Sequence, residues 1–142
     1  MYELFPTLQY ESNRIMMKLK STKPTDGELE ILAVLWNHGE ASVRTVFEEL
    51  SKTKQGGYTT TLKLMQIMLT KNLVTRDDRS KTHLYKPAVS REKTQQQFLG
   101  KMINNLFSGS SASLVMQALG GHTSSREELE EIALLIEKLK TK

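Results

Sequence analysis

Apolar residues recur at three- and four-residue spacing in most stretches of the chain, so the pattern predicts a mainly helical protein. Leu29, Leu32, Ala33, Leu35 and Trp36 form the first helical face. Ahead of it, Thr25-Asp26-Gly27-Glu28 has the form of a capping box, in which Thr25 accepts from the amide of Glu28 and Glu28 reaches back to that of Thr25; Gly39 supplies the stop. Glu40-Ala41 is long enough for a single strand pairing, and Ser42 caps a second helix with Val43, Val46, Phe47 and Leu50 inward. A polar, glycine-bearing loop over 52–57 leads to a third helix over 59–71, with Leu62, Met65, Ile67, Met68 and Leu69 as its burial candidates. Leu73-Val74-Thr75 then reads as a strand, Asp77-Asp78-Arg79-Ser80 as a turn and His83-Leu84-Tyr85-Lys86 as a returning strand closed by Pro87.

Three short helices followed by a charged-tip hairpin is the element order of a winged helix-turn-helix, because a lone hairpin has no other sheet to join and lies against the helices. Beyond it, Ser90 caps a helix reaching about Phe107, residues 108–111 break it, and a short helix over 112–119 ends at Gly120-Gly121. A second capping box, Ser125-Arg126-Glu127-Glu128, opens a final helix with Leu129, Ile132, Ala133, Ile136 and Leu139 on one face and Leu135 beside it. The expected organisation is an N-terminal extension without assigned role over 1–22, a winged helix-turn-helix over 23–88 and a helical dimerisation region over 89–142. The stripe from Leu129 to Leu139 has more apolar surface than one short helix and its neighbours can cover, which points to a homodimer.

Charge sharpens this picture. The 142-residue chain has a net charge of +4, but residues 51–93 hold 10 basic and 3 acidic side chains, residues 1–50 hold 5 and 8, and residues 94–142 hold 5 of each. A local excess of positive charge over the third helix and hairpin attracts a polyanion, and double-stranded DNA is the expected one. In a helix-turn-helix the second helix of the motif enters the major groove, while neighbouring groups grip phosphates. That helix offers Tyr58, Thr59, Thr60, Thr61, Lys63 and Gln66, and the wing offers Arg76, Arg79 and Lys81.

Other chemistry finds little support. The chain has no cysteine, and His38, His83 and His122 lack the spacing that places two on one helix face, so neither a metal site nor a catalytic centre is expected. Gly56-Gly57 lacks the Lys-Ser/Thr sequel of a nucleotide cradle, so no cofactor is expected. The longest apolar run, residues 31–36, is far below the roughly 20 residues of a membrane span. Without cysteine or a signal-peptide pattern, a cytoplasmic protein is expected.

Thr25 through Leu32 with Leu35-Trp36, Tyr58-Thr59-Thr60-Thr61-Leu62, Lys71-Asn72-Leu73-Val74 and Tyr85-Lys86-Pro87 together resemble the penicillinase-repressor family, which includes the methicillin-resistance repressors and copper-responsive repressors. The resemblance implies a winged-helix dimer that binds a palindromic operator. It also implies a membrane-bound sensor protease as a partner, which triggers cleavage in the C-terminal region. The scissile pair maps to Gln117-Ala118, where those members have Asn-Phe, so the sequence departs from the family there. The copper branch uses C-terminal cysteine pairs, which are lacking here. Ile67 stands where the family usually has arginine, and Asn72 replaces a glycine. Two alternatives stand beside this reading: a ligand-responsive repressor with an apolar pocket among its C-terminal helices, and a winged-helix module that binds protein instead of DNA.

Overall fold

A computed structural model describes residues 23–142; the extension over 1–22 lies outside them. Helix α1 (Asp26–His38), α2 (Val43–Ser51) and α3 (Tyr58–Thr70) precede strands β1 (Val74–Asp77) and β2 (Leu84–Pro87), and α4 (Arg91–Leu106), α5 (Ser111–Gly121) and α6 (Arg126–Lys140) follow. The strands pair antiparallel, Val74 opposite Pro87 and Asp77 opposite Leu84, and Ala41 adds an isolated bridge to Tyr85. The fold is a winged helix-turn-helix followed by three helices.

The chain divides into two compact units at Thr94 and Gln95. This division falls within α4, whereas the sequence reading placed the boundary before that helix. The first turn of α4 is tied to α1: the indole of Trp36 donates to the Val89 carbonyl at 3.0 Å, Arg91 donates to Asn37 at 2.6 Å, and Thr94 is buried.

The core of the first unit comes from side chains that recur on one face of each helix: Ile31, Leu32 and Leu35 of α1, Val43 and Val46 of α2, and Met65 and Met68 of α3, closed by Leu73, Val74 and Tyr85. Ala33, expected on the inner face of α1, is exposed, and Ile31 takes its place. On α3, Leu62, Ile67 and Leu69 are only half-buried, and Thr61 goes inward with Met65 and Met68. Tyr85 fastens the wing to the helices: its backbone exchanges two hydrogen bonds with Ala41, at 2.9 and 3.0 Å, while its side chain is buried.

Local signals explain most boundaries. Ser42 accepts from the Thr45 amide and opens α2; Gly39 ends α1 with a φ of 83°. The end of α3 is a Schellman motif, with Leu73 N–H donating to the Met68 carbonyl and Asn72 N–H to that of Leu69, and Asn72 taking the left-handed conformation at φ 61°. That turn aims the chain directly into β1. Ser125 and Glu128 form the expected reciprocal box at the start of α6, both bonds being 3.1 Å.

The start of α1 differs from expectation. Thr25 accepts from the Glu28 amide, but its hydroxyl donates to Glu28 Oε1 at 2.9 Å, and the same oxygen accepts from Lys71 Nζ at 2.8 Å. Both members of this ion pair are buried. Lys71 also donates to the Lys23 carbonyl at 3.0 Å. Glu28 therefore joins α1 to the end of α3 instead of capping its own helix.

The second unit is built differently. Within it no described residue is fully buried; Ile103, Phe107, Leu114, Leu119 and Ile132 are half-covered. The break after α4 is a turn in which Ser108 and Gly109 are both left-handed, at φ 51° and 82°. Gly120 and Gly121, expected to interrupt the helix, remain within α5, which ends at His122 in extended backbone. With an intact i to i−4 ladder, two glycines near a helix end lower its stability by about 1 kcal/mol each without stopping it. Among the described residues no helix is long and apolar enough to cross a membrane.

Candidate nucleic-acid interface

Burial of Thr61, Met65 and Met68 fixes the rotation of α3 and so determines which of its side chains reach outward. Thr59, Thr60, Lys63 and Gln66 are exposed, and Tyr58 is at the edge of exposure. Thr61 is only 7% exposed, so it is withdrawn from the set of base-contacting candidates and belongs to the helix's inner face. No side chain caps α3: Gly57 occupies the N-cap without a side-chain acceptor, which leaves first-turn amides available as donors.

A groove of about 480 Å³ runs between the outer face of α3, the start of α2 and the wing. Tyr58 and Gln66 line it from α3, Arg76 and Lys81 from the hairpin, and Arg44 from α2. It brings together four of the sequence-predicted residues. Thr59, Thr60, Lys63 and Arg79 do not line it. Arg44 and His83 do line it and were missed in the sequence; the only local signal for Arg44 was a basic residue in the first turn of the motif's leading helix.

The wing arginines are not bare charges. Arg79 donates to both carboxylate oxygens of Asp77, at 2.7 Å from Nη2 and 3.0 Å from Nε, and its backbone N–H adds a further bond. These bonds hold the Asp77 carboxyl down at about 2, chiefly through the guanidinium. Arg76 Nη2 donates to Asp78 Oδ2 at 3.2 Å, while Nε lies 2.6 Å from Oδ1 without hydrogen-bond alignment. The Tyr85 hydroxyl, ahead of Asp78, favours the charged guanidinium and raises its pKa. His83 Nδ1 lies 3.5 Å from Asp78 Oδ1. Lys52, Lys54 and Lys86 pair with Glu49, Glu30 and Glu40. Among the described residues no carboxylate pairs with Arg44, Lys63 or Lys81, so the uncompensated positive charge gathers on the α3 and wing side.

The family model of the penicillinase repressors matches residues 24–138. The chain belongs to the penicillinase repressor family. Its members are DNA-binding regulators and not enzymes, so the chain is a transcriptional repressor whose DNA-binding half is the winged helix. A penicillinase repressor of Bacillus licheniformis is 24% identical over 118 residues, covering 83% of this chain and 92% of the relative. The solution structure of the DNA-binding domain of the repressor BlaI is similar at 25% identity and a TM-score of 0.46, covering 51% of this chain and 89% of that one. Family membership removes the reading of a winged helix that binds protein instead of DNA. Among the described residues no group of His, Cys, Asp and Glu is placed to hold a metal.

Proposed function

We propose that the repressor binds a palindromic operator as a homodimer, with Thr59, Thr60, Lys63 and Gln66 of α3 on base edges and Arg76, Arg79 and Lys81 of the wing on flanking phosphates. The observation that carries the dimer is the C-terminal unit's lack of any fully buried residue. Leu129, Leu135, Ile136 and Leu139 of α6 are 46%, 56%, 43% and 58% exposed, with Ala133 exposed and Ile132 half-covered beside them. A unit without a core of its own is not stable as an isolated monomer, and a second copy laid against α6 supplies the missing apolar contacts. A two-fold dimer then presents two α3 helices to two half-sites about one helical turn apart. The expected organisation, an extension over 1–22, a DNA-binding region over 23–88 and a dimerisation region over 89–142, fits this division of labour.

The experiment is selection of bound duplexes from a random library, with sedimentation of the free protein at micromolar concentration. An inverted repeat and a dimer are the expected results. A monomer, or an isolated half-site bound as tightly as the full repeat, overturns the reading. Lys63→Ala and Thr60→Ala should change the selected bases, with discrimination falling by about 1–3 kcal/mol where a good base contact is lost.

Release from the operator is proposed to use a bond other than Gln117-Ala118, or another signal than a sensor protease. Both residues are exposed, but they stand in the middle of α5, and a protease binds extended backbone. Replacing an aromatic by Ala also forfeits several buried carbons, at about 0.8 kcal/mol each. The left-handed turn at Ser108-Gly109 and the extended segment after His122 are the better-exposed alternatives. Intact-mass measurement on protein from induced cells tests this: fragments ending at Gln117 refute it.

A further inference from the structure

We propose that Arg44 grips the DNA phosphate backbone and that Tyr58 is a positioning residue that holds Arg44 for that task, not a reader of bases. The proposal rests on the reading of α3 and the wing as the DNA-binding face and deepens it.

Arg44 is the second residue of α2, where a positive charge faces the positive end of the helix dipole and the first turn contains no acid. That placement opposes helix stability by a few tenths of a kcal/mol or more, so it calls for another cause. The guanidinium carbon lies 4.7 Å from the centre of the Tyr58 ring and 6.0 Å from that of Phe47. The two rings meet edge to face, 5.8 Å apart at 80°, so α2 and α3 jointly fix the plate on which Arg44 rests. A guanidinium lying over a ring keeps its N–H edges free, and those edges match phosphate oxygens.

Compensation by protein charge separates Arg44 from the wing. Arg76 and Arg79 each have an aspartate partner, whereas among the described residues no carboxylate pairs with Arg44. Arg44 also lines the groove shared with Gln66, Arg76 and Lys81. A strand of phosphates along that groove meets Arg44 as a charge it need not first release from an internal partner. An acidic protein segment offers weaker complementarity, because carboxylates on a flexible chain lack the fixed spacing of the duplex backbone.

The test measures binding of the full chain to a random-sequence duplex and to a selected operator, by anisotropy across a salt series, with circular dichroism confirming the fold. Arg44→Ala should lower the log-log salt slope by about 0.9 and weaken both DNAs alike, about eightfold near 0.1 M salt. Arg44→Lys should restore the slope. Tyr58→Phe should bind as the parent does, Tyr58→Ala should match Arg44→Ala, and the double variant should be no weaker than the worse single one. An unchanged slope in Arg44→Ala overturns the proposal, and so does Tyr58→Phe behaving like Tyr58→Ala, or the two alanine effects multiplying. Polyglutamate binding lost in Arg44→Ala while the DNA slope holds assigns Arg44 to a protein partner and also overturns it. If the parent protein itself shows no salt-dependent DNA binding, the reading of the DNA-binding face fails, a result distinct from any of these.

Discussion

The Glu28–Lys71 pair offers the sharpest test of what holds the DNA-binding half together. It joins the first turn of α1 to the end of α3 at 2.8 Å, with side chains only 3% and 6% exposed. Removing one member leaves the other buried without a countercharge, which in comparable pairs costs about 3–5 kcal/mol. Lys71→Met isolates that cost, since methionine retains the buried alkyl stem while deleting the ammonium. Glu28 would keep the Thr25 hydroxyl, but its Oε2, which has no partner in the native arrangement, would be joined by an Oε1 that has lost its cation. In a domain of this size each kcal/mol moves Tm by about 4–8 °C, so Lys71→Met should lower it by at least ~12 °C.

The complementary variant, Glu28→Leu with Lys71→Met, removes both charges and their desolvation together. It should recover most of the loss, because well-packed apolar replacements of buried ion pairs are often neutral or better. The single tryptophan, Trp36, lies on α1 with its indole bonded to Val89, and its fluorescence reports unfolding of this unit without an added probe. Urea titration and thermal melting followed at Trp36 give the two readouts. A loss below ~1 kcal/mol in Lys71→Met, or a double variant no better than the single one, would refute the reasoning.

The wing should carry internal competition for its arginines: Asp77→Asn frees Arg79 from its carboxylate, so it should raise affinity for random and operator DNA together, while Lys81→Ala lowers the salt slope by about 0.9, both read by anisotropy. The Asp77 carboxyl, depressed to about 2 by Arg79, contributes to wing stability above the ordinary aspartate pKa and loses that contribution as pH falls through about 2; carboxyl NMR should show a midpoint near 2, returning to the ordinary range in Arg79→Ala. Asn72→Val forces a β-branched residue into the left-handed position at φ 61° and should cost about 1–2 kcal/mol in urea titration, whereas Asn72→Gly should be tolerated.

What could be read from the chain alone follows the range of the interactions involved. Ser42, Ser125, Gly39 and Asn72 act on groups within a few residues of themselves, and their local roles appear in the structure as their residue types dictate. Core periodicity was also legible, because a helix that buries one face repeats that face every three or four residues. Its exact phase was not: Ala33 and Ile31 exchange places on α1, since the neighbours that select a face lie on α3 and β2. Thr61 shows the same limit on α3, where a short polar residue was taken as outward-facing although it shares its face with Met65 and Met68.

Glu28 and Arg44 mark where local reasoning ends. Thr25-Asp26-Gly27-Glu28 and Ser125-Arg126-Glu127-Glu128 satisfy the same capping pattern, yet only Glu128 reaches back to its own N-cap amide. The two glutamates differ in what lies beyond the helix: Glu128 is exposed and its nearest donor is local, whereas burial presents Glu28 with an ammonium 43 residues away. Desolvation makes that distant cation the stronger partner, since a buried carboxylate without countercharge is far costlier than an unmade capping bond of about 1 kcal/mol. Arg44 is the converse. Its unfavourable position at a helix start gave no sign of function until Tyr58 and Phe47 were brought beside it and the other guanidinium groups of the wing were matched with aspartates. A residue that weakens its own helix and lacks a carboxylate partner is explained by a ligand that supplies the negative charge, and the groove it lines is shaped by the same elements that expose α3 to DNA.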